Sequence, residues 1–154
     1  MNYEDLLIEA HNNNITTKEH YKFKSNSKGL INNNIIALSN TLSTCSERSC
    51  VLAEELGHYY TSVGNIIDTT NSNNAKQEHR ARMWAYNKMV GLYGLIDAYK
   101  AGCRSRYDIA EYLDITEEFL EEAIEKYTSK YGTYTIIDNF VIYFIPNLGI
   151  MELI

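Results

Sequence analysis

The chain has no apolar run approaching the roughly 20 residues that span a bilayer, so nothing in it reads as a membrane anchor. It also lacks an excess of positive charge. Fourteen Lys and Arg stand against 20 Asp and Glu, a net charge of −6, which argues against general binding to nucleic acid or to an anionic membrane. Cysteine is sparse: Cys45, Cys50 and Cys103 are odd in number and form no CxxC. That pattern suits reduced thiols better than a disulfide framework, and the expected location is cytoplasmic. The start, Met1-Asn-Tyr-Glu-Asp-Leu-Leu7, is acidic and amphipathic and lacks the order of a signal peptide. Proline occurs once, against 13 Tyr, and neither number names a function.

What is present is an ordinary globular composition, 45% apolar and 22% charged over 154 residues, long enough to bury a core as one domain-sized chain. Tyr3, Leu6, Leu7 and Ala10 recur at helical spacing and predict a short helix over 3–12. Residues 15–24 and 30–38, separated by the turn Ser25-Asn-Ser-Lys-Gly29, read as two strands forming a small antiparallel sheet. A helix over about 45–63, capped by Ser43 or Thr44, carries Leu52, Leu56, Tyr59 and Val63 as one apolar stripe. Residues 64–75 read as a polar loop, the segment expected to move most. A helix over about 75–90 carries Glu78, Arg82, Ala85 and Met89 on one face, with Trp84 on another, anchoring the core. Beyond it, 92–101, 107–113 and 116–127 read as helices, the last two spaced like a helix-turn-helix. A hairpin over 134–137 and 140–145 gives a layout resembling a winged helix, and the apolar tail 150–154 is expected to pack. The second helix of that pair carries Glu117, Glu118, Glu121, Glu122 and Glu125 against Lys126. A recognition helix beside phosphates needs the opposite sign, so the pair reads as packing or as a protein-binding surface.

Chemistry concentrates in Glu54-Glu55-Leu56-Gly57-His58. A histidine at position 54 would complete His-Glu-x-x-His, the zinc-peptidase helix motif. Side chains at i and i+4 lie one turn apart and can share an ion, which fits Glu54 with His58. Cys50 fits Glu54 in the same way, but Cys50 and His58 are about 12 Å apart along the axis and do not easily serve one ion. Glu55 is placed as the general base that takes a proton from water attacking a peptide carbonyl. A third protein ligand is needed. Glu78 on the next helix is the first candidate and His79 its rival. The plainer reading makes Glu54 and Glu55 solvated helix charges, His58 a packed core histidine, and Glu78 with Arg82 a surface ion pair.

The runs Leu52-Ala-Glu-Glu-Leu-Gly-His-Tyr-Tyr-Thr61 and Glu78-x-x-Ala81-x-x-Trp84-Ala85 resemble the ImmA/IrrE family of metallo-endopeptidases. Ile96-Asp-Ala-Tyr-Lys-Ala-Gly102 and Ile109-Ala-Glu-Tyr-Leu113 extend the resemblance to the versions carried by phage and mobile elements. It implies an α+β, mainly helical fold. Residues 1–90 would form a zincin-like metallopeptidase core with the small antiparallel sheet. Residues 91–154 would form a helical, helix-turn-helix-like part with the hairpin, packed on that core. The resemblance implies zinc as cofactor, Glu55 as general base, His58 and Glu78 as ligands, and a helix-turn-helix repressor of a mobile element as the protein substrate. Glu54 departs from the family's histidine. A carboxylate can bind zinc, but in that place it would lower the charge of the site by one unit, make a coordinated water less acidic and admit the harder Mn²⁺. The competing expectation is a weak or inactive relative that holds a partner protein through its acidic helical half.

Overall fold

The computed structural model describes residues 1–62 and 71–154. The first helix, α1 (Tyr3–Asn12), starts in a reciprocal cap: the Asp5 amide donates to Asn2 Oδ1 (2.9 Å) and the Asn2 amide donates to Asp5 Oδ2 (3.1 Å). It buries Tyr3, Leu6 and Ala10. Strands β1 (Thr16–Tyr21), β2 (Gly29–Asn32) and β3 (Ile35–Ser39) follow.

Their sheet corrects the expected antiparallel pair. The 30–38 segment is two strands, folded back at Asn33-Asn34, where Asn33 takes the left-handed conformation (φ 55°) that asparagine tolerates. The order is β1-β3-β2, with β1 parallel to β3 and β2 antiparallel to it, so the sheet is mixed. Alternation assigns its faces: Ile36 and Leu38 are fully buried, while Leu30 and Ile35 point outward.

Helix α2 (Cys45–Thr61) begins at Thr44, whose hydroxyl accepts from the Glu47 amide (3.1 Å). Leu52, Ala53 and Leu56 are fully buried. At roughly 1.5–3 kcal/mol for each buried leucine, this stripe holds the helix to the core. Tyr59, expected in the stripe, is half-buried and borders a surface cleft as well as the core; Val63 lies outside the described residues. The next helix, α3 (Asn71–Met89), begins earlier than its apolar pattern, so residues 71–75 of the expected loop are helical and 64–70 lie outside the described residues. Trp84 is half-buried and stacks on Tyr60 (centroids 4.9 Å apart), whose hydroxyl accepts from Asn13 Nδ2 (2.8 Å). Lys88 of α3 pairs with Glu9 of α1 (2.8 Å). These contacts tie α1, α2 and α3 together.

The remaining helices are α4 (Gly91–Lys100), α5 (Arg106–Leu113) and α6 (Glu117–Tyr131). Gly91 has φ +64°, open to glycine without strain, and its amide donates to the Tyr127 hydroxyl (3.1 Å), which donates to Asn87 Oδ1 (3.0 Å). Ser105 and Thr116 cap α5 and α6, with Asp114 left-handed between them. Strands β4 (Tyr134–Ile137), β5 (Phe140–Tyr143) and β6 (Gly149–Glu152) form an antiparallel sheet in that order. The tail pairs through β6 as a third strand beside the expected hairpin; Ile150 is half-buried, whereas Met151, Leu153 and Ile154 stay exposed rather than packing as expected. One hydrophobic cluster runs from Tyr3 and Leu6 through α2 to Phe140, Ile142 and Phe144.

Helices α2 and α3 meet at Gly57. A β-carbon there would stand well inside van der Waals contact distance of the Ala81 carbonyl oxygen. The helices therefore approach with only hydrogen between their backbones, and Ala81 and Ala85 are fully buried beneath. Gly57→Ala is expected to cost about 1–3 kcal/mol from overpacking, read as a lower denaturation midpoint at unchanged slope; a midpoint equal to that of the parent would show that the two helices are not in close contact.

Candidate functional site

The close approach at Gly57 sets the next residue, His58, against α3. His58 Nε2 lies 3.1 Å from Glu78 Oε2, and Glu78 Oε1 lies 3.3 Å from Arg82 Nε. Glu78 thus bridges the imidazole and a guanidinium one helical turn along its own helix. An open cleft of about 630 Å³ runs beside them, lined by Gly29, Leu30, Ile31, Asn33, Glu55, His58, Tyr59, Ser62 and Glu78. Its floor is α2, one wall is the edge strand β2, and the other is α3.

Glu55 faces this cleft under β2. Gly29 stands so close that a β-carbon there would press on Val51 and on the Glu55 carboxylate. Strand and helix together take water from Glu55. That desolvation, helped by the neighbouring Glu54 and Glu78 charges, pushes its carboxyl up to about 7, with the Ile31 backbone amide pulling the other way. Glu54, one residue earlier, lines an adjoining hollow of about 410 Å³ with Glu55, Glu78, Arg82, Glu118 and Glu122. Burial raises it to about 7 as well; Arg82 opposes the shift and Glu78 and Glu122 add to it. Burial works against the charge of Arg82, yet the Glu54 and Glu78 carboxylates hold its pKa above the usual arginine value. Tyr86 donates to Glu122 Oε2 (3.0 Å) at the back of the hollow.

The structure therefore brings Glu55, His58 and Glu78 to one cleft. Glu54 opens on the adjoining hollow instead and shares Arg82 with Glu78. His79 is exposed and lines neither space. Cys50 is buried, its thiol pushed up to about 11 by desolvation, which suits a packed thiol rather than a ligand. Among the described residues no three His, Cys, Asp or Glu side chains stand together as a metal-holding group. The donor set nonetheless fits a divalent cation in type and charge. An imidazole and a carboxylate from two helices already touch, and two further carboxyls are desolvated with Arg82 as their nearby cation. A dication offsets what such a cluster otherwise loses to repulsion and burial.

Three contributors escaped the sequence reading. Gly57 was part of the motif, and the small residues Ala81 and Ala85 facing it were the available signal. Gly29 sets the wall over Glu55 with no local signature. Glu122 belongs to a helix that the sequence reads as packing or as a protein-binding surface, with nothing to tie it to the site.

A family model described as Peptidase_M78, IrrE N-terminal-like domain, matches residues 2–125. No curated protein and no solved structure matches the chain. Among the described residues no helix is long and apolar enough to cross a membrane.

Both α2 carboxyls sit above their ordinary value of 4.5 in the fold. A raised acid binds protons more tightly when folded, so stability falls as pH rises between about 4.5 and 7. For the two coupled groups the loss is on the order of 1–3 kcal/mol. Chelator-treated protein should melt several degrees lower at pH 8 than at pH 5 (roughly 2–4 °C for each kcal/mol in a chain of this size), and Glu55→Gln should flatten part of that slope. A pH-independent melting temperature would mean that water reaches both carboxyls.

Proposed function

The chain belongs to the Peptidase_M78 family of IrrE N-terminal-like domains, a membership that points to metallopeptidase chemistry, and from it we propose a cytoplasmic, zinc-dependent endopeptidase that hydrolyses a peptide bond in a protein substrate. The observation that carries the reading is the contact of His58 Nε2 with Glu78 across two helices, at the mouth of the cleft that Glu55 lines. His58 and Glu78 would hold the ion, and Glu54, which shares the adjoining hollow with Glu78, would be the third ligand. A divalent ion bound there supplies Lewis acidity, polarising the scissile carbonyl and making a water easier to deprotonate. The oxygen-rich set also admits Mn²⁺.

The rest of the chemistry belongs to the chain. A substrate lying along β2 places its backbone in the cleft between that strand and α3. Glu55, ionised, takes a proton from the attacking water, so that a hydroxyl oxygen bonds to the carbonyl carbon. The C–N bond then breaks, and the proton held on Glu55 passes to the departing amine nitrogen. A carboxyl poised near neutrality serves both transfers, since it neither holds nor sheds its proton strongly. Tyr59 borders the same cleft. A helix-turn-helix repressor of a mobile element is the proposed substrate, on the resemblance drawn from the sequence.

Arg82 favours a second reading. Its guanidinium pairs with Glu78 and lies in the hollow with Glu54, so it supplies cationic charge where a metal would. A chain in which it keeps that place would be a protein-binding relative with weak or no hydrolysis.

Two measurements decide. Protein prepared without chelator should carry about one equivalent of divalent ion or take it up on titration; none in either case removes the catalytic reading. Glu55→Gln should retain the ion and lose roughly a hundred- to ten-thousandfold in hydrolysis, and undiminished hydrolysis by this variant would take Glu55 out of the role of base.

A further inference from the structure

Among the described residues the outer face of the β1-β3-β2 sheet is uncovered, and it differs sharply in charge from the adjoining cleft. It holds a groove of about 390 Å³ with Tyr21, Phe23, Leu30 and Ile35 as its apolar floor. Tyr21 is 45% exposed, Leu30 54% and Ile35 43%. Register explains the floor: Leu30 and Lys18 both oppose Ala37, and Asn32 opposes Ile35, so the outward side chains of three strands form rows. A bulge completes it. The pairing of β1 with β3 slips between Lys18 and Tyr21, where His20 takes a left-handed backbone (φ 59°), and residues three apart then reach the same groove. Tyr21 and Phe23 pack edge to face with centroids 4.8 Å apart.

Among the described residues the charged side chains lining this groove are Lys18, Lys22 and Lys24, with no carboxylate beside them. In a chain of net charge −6 that is a local reversal of sign. The groove also adjoins the candidate cleft, since Leu30 and Asn33 line both. A segment leaving the cleft over the β2–β3 turn runs directly onto it.

We infer that this face is an extension of the substrate cleft, binding an extended segment of the protein substrate in which apolar side chains alternate with acidic ones. The inference rests on the peptidase reading and names a substrate class for it. Alternation matches the strand period: apolar side chains settle on Tyr21, Leu30 and Ile35, and carboxylates meet the lysines along the rim. Exposed lysines give modest attraction each, but three of one sign around an apolar floor select strongly against basic segments.

The test measures anisotropy of a short fluorescent peptide alternating leucine with glutamate. The same peptide with lysine for glutamate, and one with serine for leucine, serve as competitors. Glu55→Gln protein is used, so binding does not depend on hydrolysis. The glutamate–leucine peptide should bind roughly tenfold or more tighter than either relative, and a triple Lys18→Gln, Lys22→Gln, Lys24→Gln protein should lose roughly tenfold in its affinity. Added salt should narrow the margin over the lysine peptide. Equal binding of all three peptides, or a preference unchanged in the triple variant, overturns the inference. Its failure is separable from that of the peptidase reading: a chain that takes up metal and hydrolyses protein without acidic preference keeps the chemistry and loses the groove, whereas one that binds the acidic peptide as expected but takes up no ion keeps the groove and loses the chemistry.

Discussion

Everything at the site depends on the contact between Gly57 and the Ala81 carbonyl. Two helices that meet through side chains sit 8–10 Å apart; here the lack of a β-carbon at Gly57 lets α3 lie against the α2 backbone. The next residue on α2 is His58 and the cleft-facing residue one turn before Ala81 on α3 is Glu78, so the same contact that seats the helices brings imidazole and carboxylate to 3.1 Å. The fully buried Leu52, Leu56, Ala81 and Ala85 hold that geometry from below. The motif residues are consequently positioned by packing rather than by their own hydrogen bonds.

That packing creates an electrostatic problem in the space above it. Glu54, Glu55, Glu78 and Glu122 border two adjoining hollows, and water is limited at the first two. Like charges in a poorly solvated space favour either protonation or a cation. The fold supplies one cation of its own in Arg82, which pairs with Glu78 and is stabilised in its charged form by Glu54 and Glu78. A divalent ion held there would compete with Arg82 for the same carboxylates, and a glutamate at position 54 would make that competition closer than a neutral histidine would.

The acidic helix α6 gains a different meaning in this setting. Phe119, Leu120, Ala123, Ile124 and Tyr127 are buried in the common core, and Glu118 and Glu122 line the hollow behind Glu54. Part of its negative charge belongs to the site rather than to a surface. Next to the cleft, on the outer face of the sheet, lysines line the adjoining groove, so the charge passes from an acidic floor to a basic rim across a single edge strand.

Local chemistry made much of this readable in advance. The spacing of Leu52 and Leu56 and the cap at Thr44 define α2, and the i, i+4 relation of Glu54 and His58 follows from helical period alone. Glu78 was legible as a partner from its place on the next helix, and the ion pair with Arg82 from the same spacing. What local pattern could not supply is the pairing of strands, because a six-residue strand reads alike beside a parallel or an antiparallel neighbour; Asn33-Asn34 split one expected strand into two and left β1 parallel to β3. Nor could it supply dielectric. Glu54 and Glu55 look like solvated helix charges in the sequence. Only the arrival of β2 at Gly29, of α3 at Gly57 and of α6 at Glu122, elements distant along the chain, removes the water that would have made them so.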